Sequence, residues 1–195
     1  DTLTIRFGRP SAPEVPVLST RSEHGVAVIS WDSSTEDSKD SLTGYFDFEG
    51  YKLYKSLDGG ETWGDESFKM YDSNGDFAGW KPFRQWDLTE EQDQLHCNYS
   101  NDYNCSGNNR NIDVSGYDPL FYWIHIGENN GIEYSFIDSA VVDGVEYTYA
   151  LTSYDTGVWT TYQNLLSGKI EWYDSNPGRF MDVDGNGFPT MESEI

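Results

Sequence analysis

The sequence predicts an all-β fold, and three observations carry that expectation. Apolar residues alternate with polar or small ones along Gly25–Asp32 (GVAVISWD), Gly50–Ser56 (GYKLYKS) and Gly131–Asp155, the period of two that a half-buried strand imposes. Turn residues punctuate these runs, as at Asp143-Gly144, where glycine accepts the positive φ of a tight reversal. Only one stretch reads as helix. Thr89-Glu90-Glu91-Gln92 fits a capping box and places a single short helix near Glu90–His96. A chain of 195 residues is long enough for one β-sandwich with a large insertion, or for two small domains.

Charge narrows the function classes. Thirty-four acidic residues against twelve basic ones give a net charge of −22. A field of that sign repels phosphate backbones and anionic lipid surfaces, so nucleic acid is not an expected partner. It attracts cations and suits a soluble protein in salty surroundings. Aromatic residues make up 16% and charged residues 24%, enough apolar surface for a core and unlike a disordered acidic tail. No run approaches the ~18 apolar residues of a membrane helix, so membrane insertion is not expected. No signal peptide is visible either, and the chain reads as a mature or excised piece of a secreted or cell-surface protein.

In chain order, Thr2–Phe7 alternates like a strand, with Leu3, Ile5 and Phe7 on one face. Gly8-Arg9-Pro10-Ser11-Ala12-Pro13 breaks it, so residues 1–12 read as an extra strand and linker ahead of the main domain. The first strand of that domain is expected near Val15–Leu18. Along Gly25–Asp32, Ala27, Ile29 and Trp31 share a face, and Ser33–Gly44 is an acidic loop without periodicity. Tyr51 and Leu53 point inward from Gly50–Ser56. In the stretch that follows Asp143-Gly144, the large Tyr147, Tyr149 and Leu151 lie on one face, and the small Thr148, Ala150 and Thr152 on the other. A final strand is expected at Leu165–Trp172.

These strings resemble the fibronectin type III family. Gly144-x-x-Tyr147-x-Tyr149-x-Leu151 is similar to the run after its E–F corner, Trp31 to the core Trp of its strand B, and Tyr51–Leu53 to its strand C. The resemblance covers Pro13–Ser56 and Gly131–Asp155. It implies an immunoglobulin-like sandwich over residues 13–175, in which the Tyr147 hydroxyl bonds back to the corner backbone. It departs from the family over about residues 57–130, an insertion between strands C and E that carries Trp63, Trp80, Trp86 and Trp123. Each such ring buries ~150–250 Å² when it packs, so the insertion is expected to be ordered, with a strand-like Leu120–Ile126 leading back to the sandwich. Family members serve mostly as spacers, adhesion units or accessory domains, so the function expected is a non-enzymatic extracellular structural or adhesive module, with copies of itself or other domains as partners. Leu3, Ile5 and Phe7 are the candidate inter-subunit strand of a surface fibre, because a lone strand seeks a sheet edge. The alternative is a carbohydrate-binding module that uses Trp80, Trp86 and Trp123 as a platform for glycans. A hydrolase accessory domain comes third.

Four features could carry chemistry. Ser56–Trp63 fits the Asp-box hairpin of sialidases, in which Asp58 bonds turn amides; one box and six scattered arginines do not make a sialidase, so a structural hairpin is expected. Cys97 and Cys105 enclose a polar loop, and a disulfide is expected there; the rival, a metal site with His96 and His125, lacks the C-x₂-C spacing of structural zinc. Asn98-Tyr99-Ser100 and Asn104-Cys105-Ser106 are N-glycosylation sequons. No catalytic motif occurs, and His24, His96 and His125 stand in unrelated contexts. In the acidic tail, residues 176–195, Asp182, Asp184 and Asn186 supply alternate oxygens before Gly187, with the Phe188 carbonyl following. That spacing resembles the first half of an EF-hand or dockerin loop and makes Ca2+ the candidate cofactor. Position twelve is Ser193, not the bidentate Glu. Asp72, Asn74 and Asp76 repeat the spacing, with Phe77 where glycine belongs.

Overall fold

The computed structural model describes residues 10–42, 44–95, 114–159, 161–163, 167–172 and 187–195. Their elements begin with β1 (Leu18–Glu23), β2 (Val26–Trp31), β3 (Phe48–Ser56), β4 (Lys69–Tyr71), β5 (Phe77–Trp80) and β6 (Arg84–Asp87). The short helix α1 (Glu90–Leu95) is followed by β7 (Gly116–Tyr117), β8 (His125–Gly127), β9 (Ser135–Asp138) and β10 (Thr148–Asp155). Four short strands end the chain: β11 (Val158–Trp159), β12 (Thr161–Gln163), β13 (Ile170–Trp172) and β14 (Gly187–Phe188). The all-β expectation holds.

Two antiparallel three-stranded sheets, ordered β1-β2-β9 and β10-β3-β6, supply the core between them. Ile29 and Trp31 come from the first sheet, and Phe48, Tyr51, Leu53 and Leu151 from the second. The alternating faces read from the sequence are the ones buried here. Trp31 lies 5.9 Å from Tyr51 and 4.9 Å from Trp86, ring centre to ring centre. Phe83 and Trp86 close the far side against Phe136 of β9.

β6 belongs to the region read as insertion, yet it pairs along β3, with Tyr51 opposite Trp86 and Leu53 opposite Arg84. The rest of that region includes the β4–β5 hairpin, the β7–β8 pair and α1. The helix starts as its capping box requires: Gln92 N–H donates to Thr89 Oγ1 at 3.2 Å, and Thr89 N–H to Gln92 Oε1 at 3.0 Å.

Three boundaries differ from expectation. The first strand begins at Leu18, because Pro16 cannot donate to a ladder, and Val15 and Val17 are exposed. Within Leu120–Ile126 only His125 and Ile126 are in a strand, β8. Asp118 accepts from the N–H groups of Leu120 and Phe121 at 2.7 and 2.9 Å and turns the chain there. Of the expected Leu165–Trp172 strand, Ile170–Trp172 pairs with Thr161–Gln163, and Leu165 lies outside the described residues.

The outer face of β3 and β10 is buried as well, which alternation alone does not predict. Residues 190–193 lie against the end of β10: Asp155 N–H donates to Met191 at 3.0 Å, and Ser193 N–H to Ser153 at 2.9 Å. Gly50 has no room for a side chain there, since a Cβ would sit 2.1 Å from the Trp86 carbonyl.

Candidate functional site

Trp80 closes β5 and Trp123 precedes β8, and both are half-buried walls of one cleft of about 470 Å³. Met70, Gln85, Tyr117 and His125 line the same space. Tyr117 meets the His125 ring edge-on at 5.1 Å, and Phe121 stacks on Trp123 at 4.9 Å. Gln85 Nε2 is held among three acceptors, the His125 and Ile126 carbonyls and the Tyr154 hydroxyl, at 3.1, 2.5 and 2.9 Å, which share its two N–H groups. The cleft is therefore an aromatic slot with rigid amides at its base.

Trp86 is not part of it. Its strand position opposite Tyr51 turns its ring into the sheet-to-sheet core, so of the three tryptophans named for the alternative sugar platform only Trp80 and Trp123 line the cleft. The parity of a short strand is ambiguous until its partner is known.

The Asp-box reading is a turn, as expected. Asp58 accepts from the Ser56 hydroxyl at 2.6 Å, the Thr62 N–H at 2.9 Å and the Thr62 hydroxyl at 2.6 Å. Those bonds, the Ser56 hydroxyl first, pull the Asp58 carboxyl down to about 2. Asp72 is similar: its Oδ1 accepts from the N–H groups of Asn74 and Asp76 at 2.8 and 2.9 Å. Asn74 and Asp76 point outward from that turn and are exposed. Among the described residues no three His, Cys, Asp or Glu side chains form a metal-holding group.

Asp182, Asp184 and Asn186 lie outside the described residues, as do Cys97, Cys105, His96, Leu3, Ile5 and Phe7. Phe188 is described, paired in β14 with Val158. Beyond it the described end of the acidic tail tucks into the fold. Glu192 reaches Lys52 Nζ at 2.9 Å, the Tyr54 hydroxyl at 2.6 Å and Thr152 Oγ1 at 2.5 Å. Thr190 donates its N–H and its hydroxyl to Asp118, at 2.7 and 2.8 Å. Nothing in the local sequence marks Glu192, because its partner is distant.

A second cluster of acids sits nearby. Asp40, Asp47 and Asp155 are all buried. Burial pushes the Asp155 carboxyl up to about 8, with Asp40 adding to the rise and the N–H groups of Met191 and Gly157 opposing it. Asp47 is also raised well above the ordinary range by burial, then by its two acidic neighbours.

At the opposite end of the sandwich, the Tyr147 hydroxyl accepts from the Val142 N–H at 3.1 Å, the bond expected of a tyrosine corner. Lys55 lies 4.5 Å over the Tyr147 ring and 2.6 Å from Asp138. Asp143 ties this corner to the β1–β2 turn through His24 and through the Gly25 N–H, the latter at 2.9 Å. Between β1 and the start of β10 runs a groove of about 730 Å³.

No protein-family model, curated protein or solved structure matches the chain. The functional reading therefore rests on these side chains and edges.

Proposed function

We propose that this chain is a non-enzymatic extracellular module of the fibronectin type III kind, and that it adheres or assembles with copies of itself at a cell surface. One observation carries the reading. β1 ends one sheet and β10 the other, on the same side of the sandwich, with the groove between them. Unblocked strand edges beside apolar surface recruit further strands. The Val142–Tyr147 corner and the two sheet orders support the family part of the reading. Support for a non-enzymatic role comes from the polar groups themselves, since Asp58, Asp72, Asp118, Asp138 and Glu192 all spend their oxygens on backbone amides, hydroxyls or lysines of the scaffold. The test is sedimentation velocity with negative-stain microscopy over a concentration series. Fibres or growing oligomers are the expected result, and a monomer at every concentration would overturn the self-assembly.

A second reading is favoured by the slot between Trp80 and Trp123. Flat aromatic walls and fixed amides suit the C–H faces and hydroxyls of a sugar, and glycan binding would make the chain a carbohydrate-binding module. Titration with cellotetraose, followed by tryptophan fluorescence, tests it; saturable quenching that Trp80→Ala and Trp123→Ala both remove is expected.

Calcium belongs to the same proposal as a clamp on the tail, held by Asp182, Asp184, Asn186 and the Phe188 carbonyl. The spacing of those oxygens supports it. Chelator should speed proteolysis after Asn176 and lower the melting temperature, with Asp182→Ala plus Asp184→Ala reproducing both; no change on chelation would remove the ion.

A further inference from the structure

Asparagine followed by glycine is the backbone step most prone to cyclise, because glycine has no Cβ to shield its nitrogen. The chain has three such steps, Asn74-Gly75, Asn130-Gly131 and Asn186-Gly187, and Asn186 lies outside the described residues. Asn74 and Asn130 are both exposed, so exposure does not separate them. Their hydrogen bonds do.

Asn130 is clamped at both ends of its carboxamide. Its Oδ1 accepts from the Asp87 N–H at 3.2 Å, and its Nδ2 donates to the Gln85 carbonyl at 3.0 Å. Cyclisation would turn that carboxamide away from β6 and break both bonds. It would also take an acceptor from the Asp87 N–H, on a fully buried residue, which adds to the cost.

Asn74 sits at the tip of the β4–β5 hairpin. There the Asp72 carboxylate grips the main chain, through the N–H groups of Asn74 and Asp76. The Gly75 N–H, whose nitrogen would attack, donates to the Asp72 carbonyl at 3.1 Å, towards the long end of the N–H···O range. Gly75 stands at φ +84°, and a Cβ placed on it would meet nothing within 4 Å. The approach to its nitrogen is open. Such a loop tip is also where local opening costs least.

We infer that Asn74-Gly75 is a self-modifying step of this protein, and that the two carboxamide bonds of Asn130 keep Asn130-Gly131 from the same reaction. The Gly75 nitrogen bonds to Asn74 Cγ, the Cγ–Nδ2 bond breaks, and the Gly75 proton leaves with the amide nitrogen as ammonia. Water then opens the succinimide at either carbonyl, giving aspartate or isoaspartate, and no oxidant, reductant or cofactor is consumed. Isoaspartate routes the main chain through Cβ and so lengthens it by one atom between Asp72 and Gly75. The bond from the Gly75 N–H to the Asp72 carbonyl then cannot close at its old spacing. Trp80 ends the same hairpin, opposite Lys69, so the change reaches a strand that walls the aromatic cleft.

The test incubates the full-length chain at mildly alkaline pH, where a backbone N–H gives up its proton more readily, folded and in guanidinium chloride side by side. Peptide mapping by mass spectrometry reads conversion at each asparagine, and isoaspartyl methyltransferase labels the isoaspartate. In the folded chain Asn74 should convert about tenfold faster than Asn130, the order of factor that two lost amide hydrogen bonds amount to. In denaturant the two rates should converge. Equal rates in the folded chain, or a ratio that persists in denaturant, would overturn the shielding of Asn130. An Asn74 that stays intact in the folded chain would overturn the site, whether or not it converts in denaturant. Asn74→Gln, which must close a larger ring, should remove the label from the hairpin peptide and leave the circular dichroism unchanged; a label that persists there would also overturn it.

Discussion

Lys52 and Glu192 lie 2.9 Å apart, although 140 positions separate them along the chain. The Lys52 side chain is only 6% exposed, so Glu192 is what makes that buried ammonium tolerable. Burial works against the Glu192 charge, but Lys52 and the hydroxyls of Thr152 and Tyr54 outweigh it and hold the carboxyl below its ordinary range.

Removing one partner is therefore expected to do more harm than removing both. Glu192→Ala should lower stability by about 3–5 kcal/mol, because it strands a buried cation. Lys52→Met with Glu192→Leu should recover most of that loss. Urea denaturation of the three variants checks the pattern. Equal losses for single and double variants would mean that the pair contributes only packing.

Alkaline pH should loosen the same end of the molecule. Burial raises the carboxyls of Asp155 and Asp47 in the folded chain above their unfolded value of 3.8. A raised group stabilises the fold below its unfolded pKa, and that contribution is lost as pH rises towards about 8 for Asp155. The melting temperature should fall between mildly acidic pH and pH about 8. Asp155→Asn retains an oxygen for the Met191 and Gly157 N–H groups and should flatten the decline. A profile unchanged by that substitution would place the titration elsewhere.

Tyr147→Phe removes the hydroxyl that accepts from Val142 and leaves the ring under Lys55. A loss of about 1 kcal/mol is expected for one such bond, measured by chemical denaturation.

The tryptophans should divide by role. Trp86→Ala opens a void against Trp31 and should lose about 3–5 kcal/mol of stability. Trp80→Ala and Trp123→Ala, on the cleft walls, should change the melting temperature much less. Thermal denaturation of the three variants side by side decides between one shared role and two.

Local signals were legible in the sequence where a residue's partner stands nearby. The Thr89–Gln92 capping box, the Asp58 turn and the Val142–Tyr147 corner each close within five residues; the first is readable from spacing, the other two from the motifs that those strings resemble. Tyr51, Leu53 and Trp31 were readable because one face of each strand is apolar. Trp86 could not be assigned to core or surface from the sequence, because parity on a four-residue strand depends on its register with β3. The docked tail was invisible for the same kind of reason: Pro189–Ser193 has the composition of a solvated segment, and only Lys52, Asp118 and Ser153, far along the chain, give it a place.

The separation of Lys52 from Glu192 also sets an order of events during synthesis. At 5–20 residues per second, on the order of ten seconds pass between the two residues leaving the ribosome. Once β9 and β10 have emerged the two sheets can pair, yet the outer face of β3 still lacks its carboxylate and the edge of β10 its last rungs. The nascent chain stays unlatched at this end until Glu192 arrives, so the buried ammonium of Lys52 is without its carboxylate for all of that time.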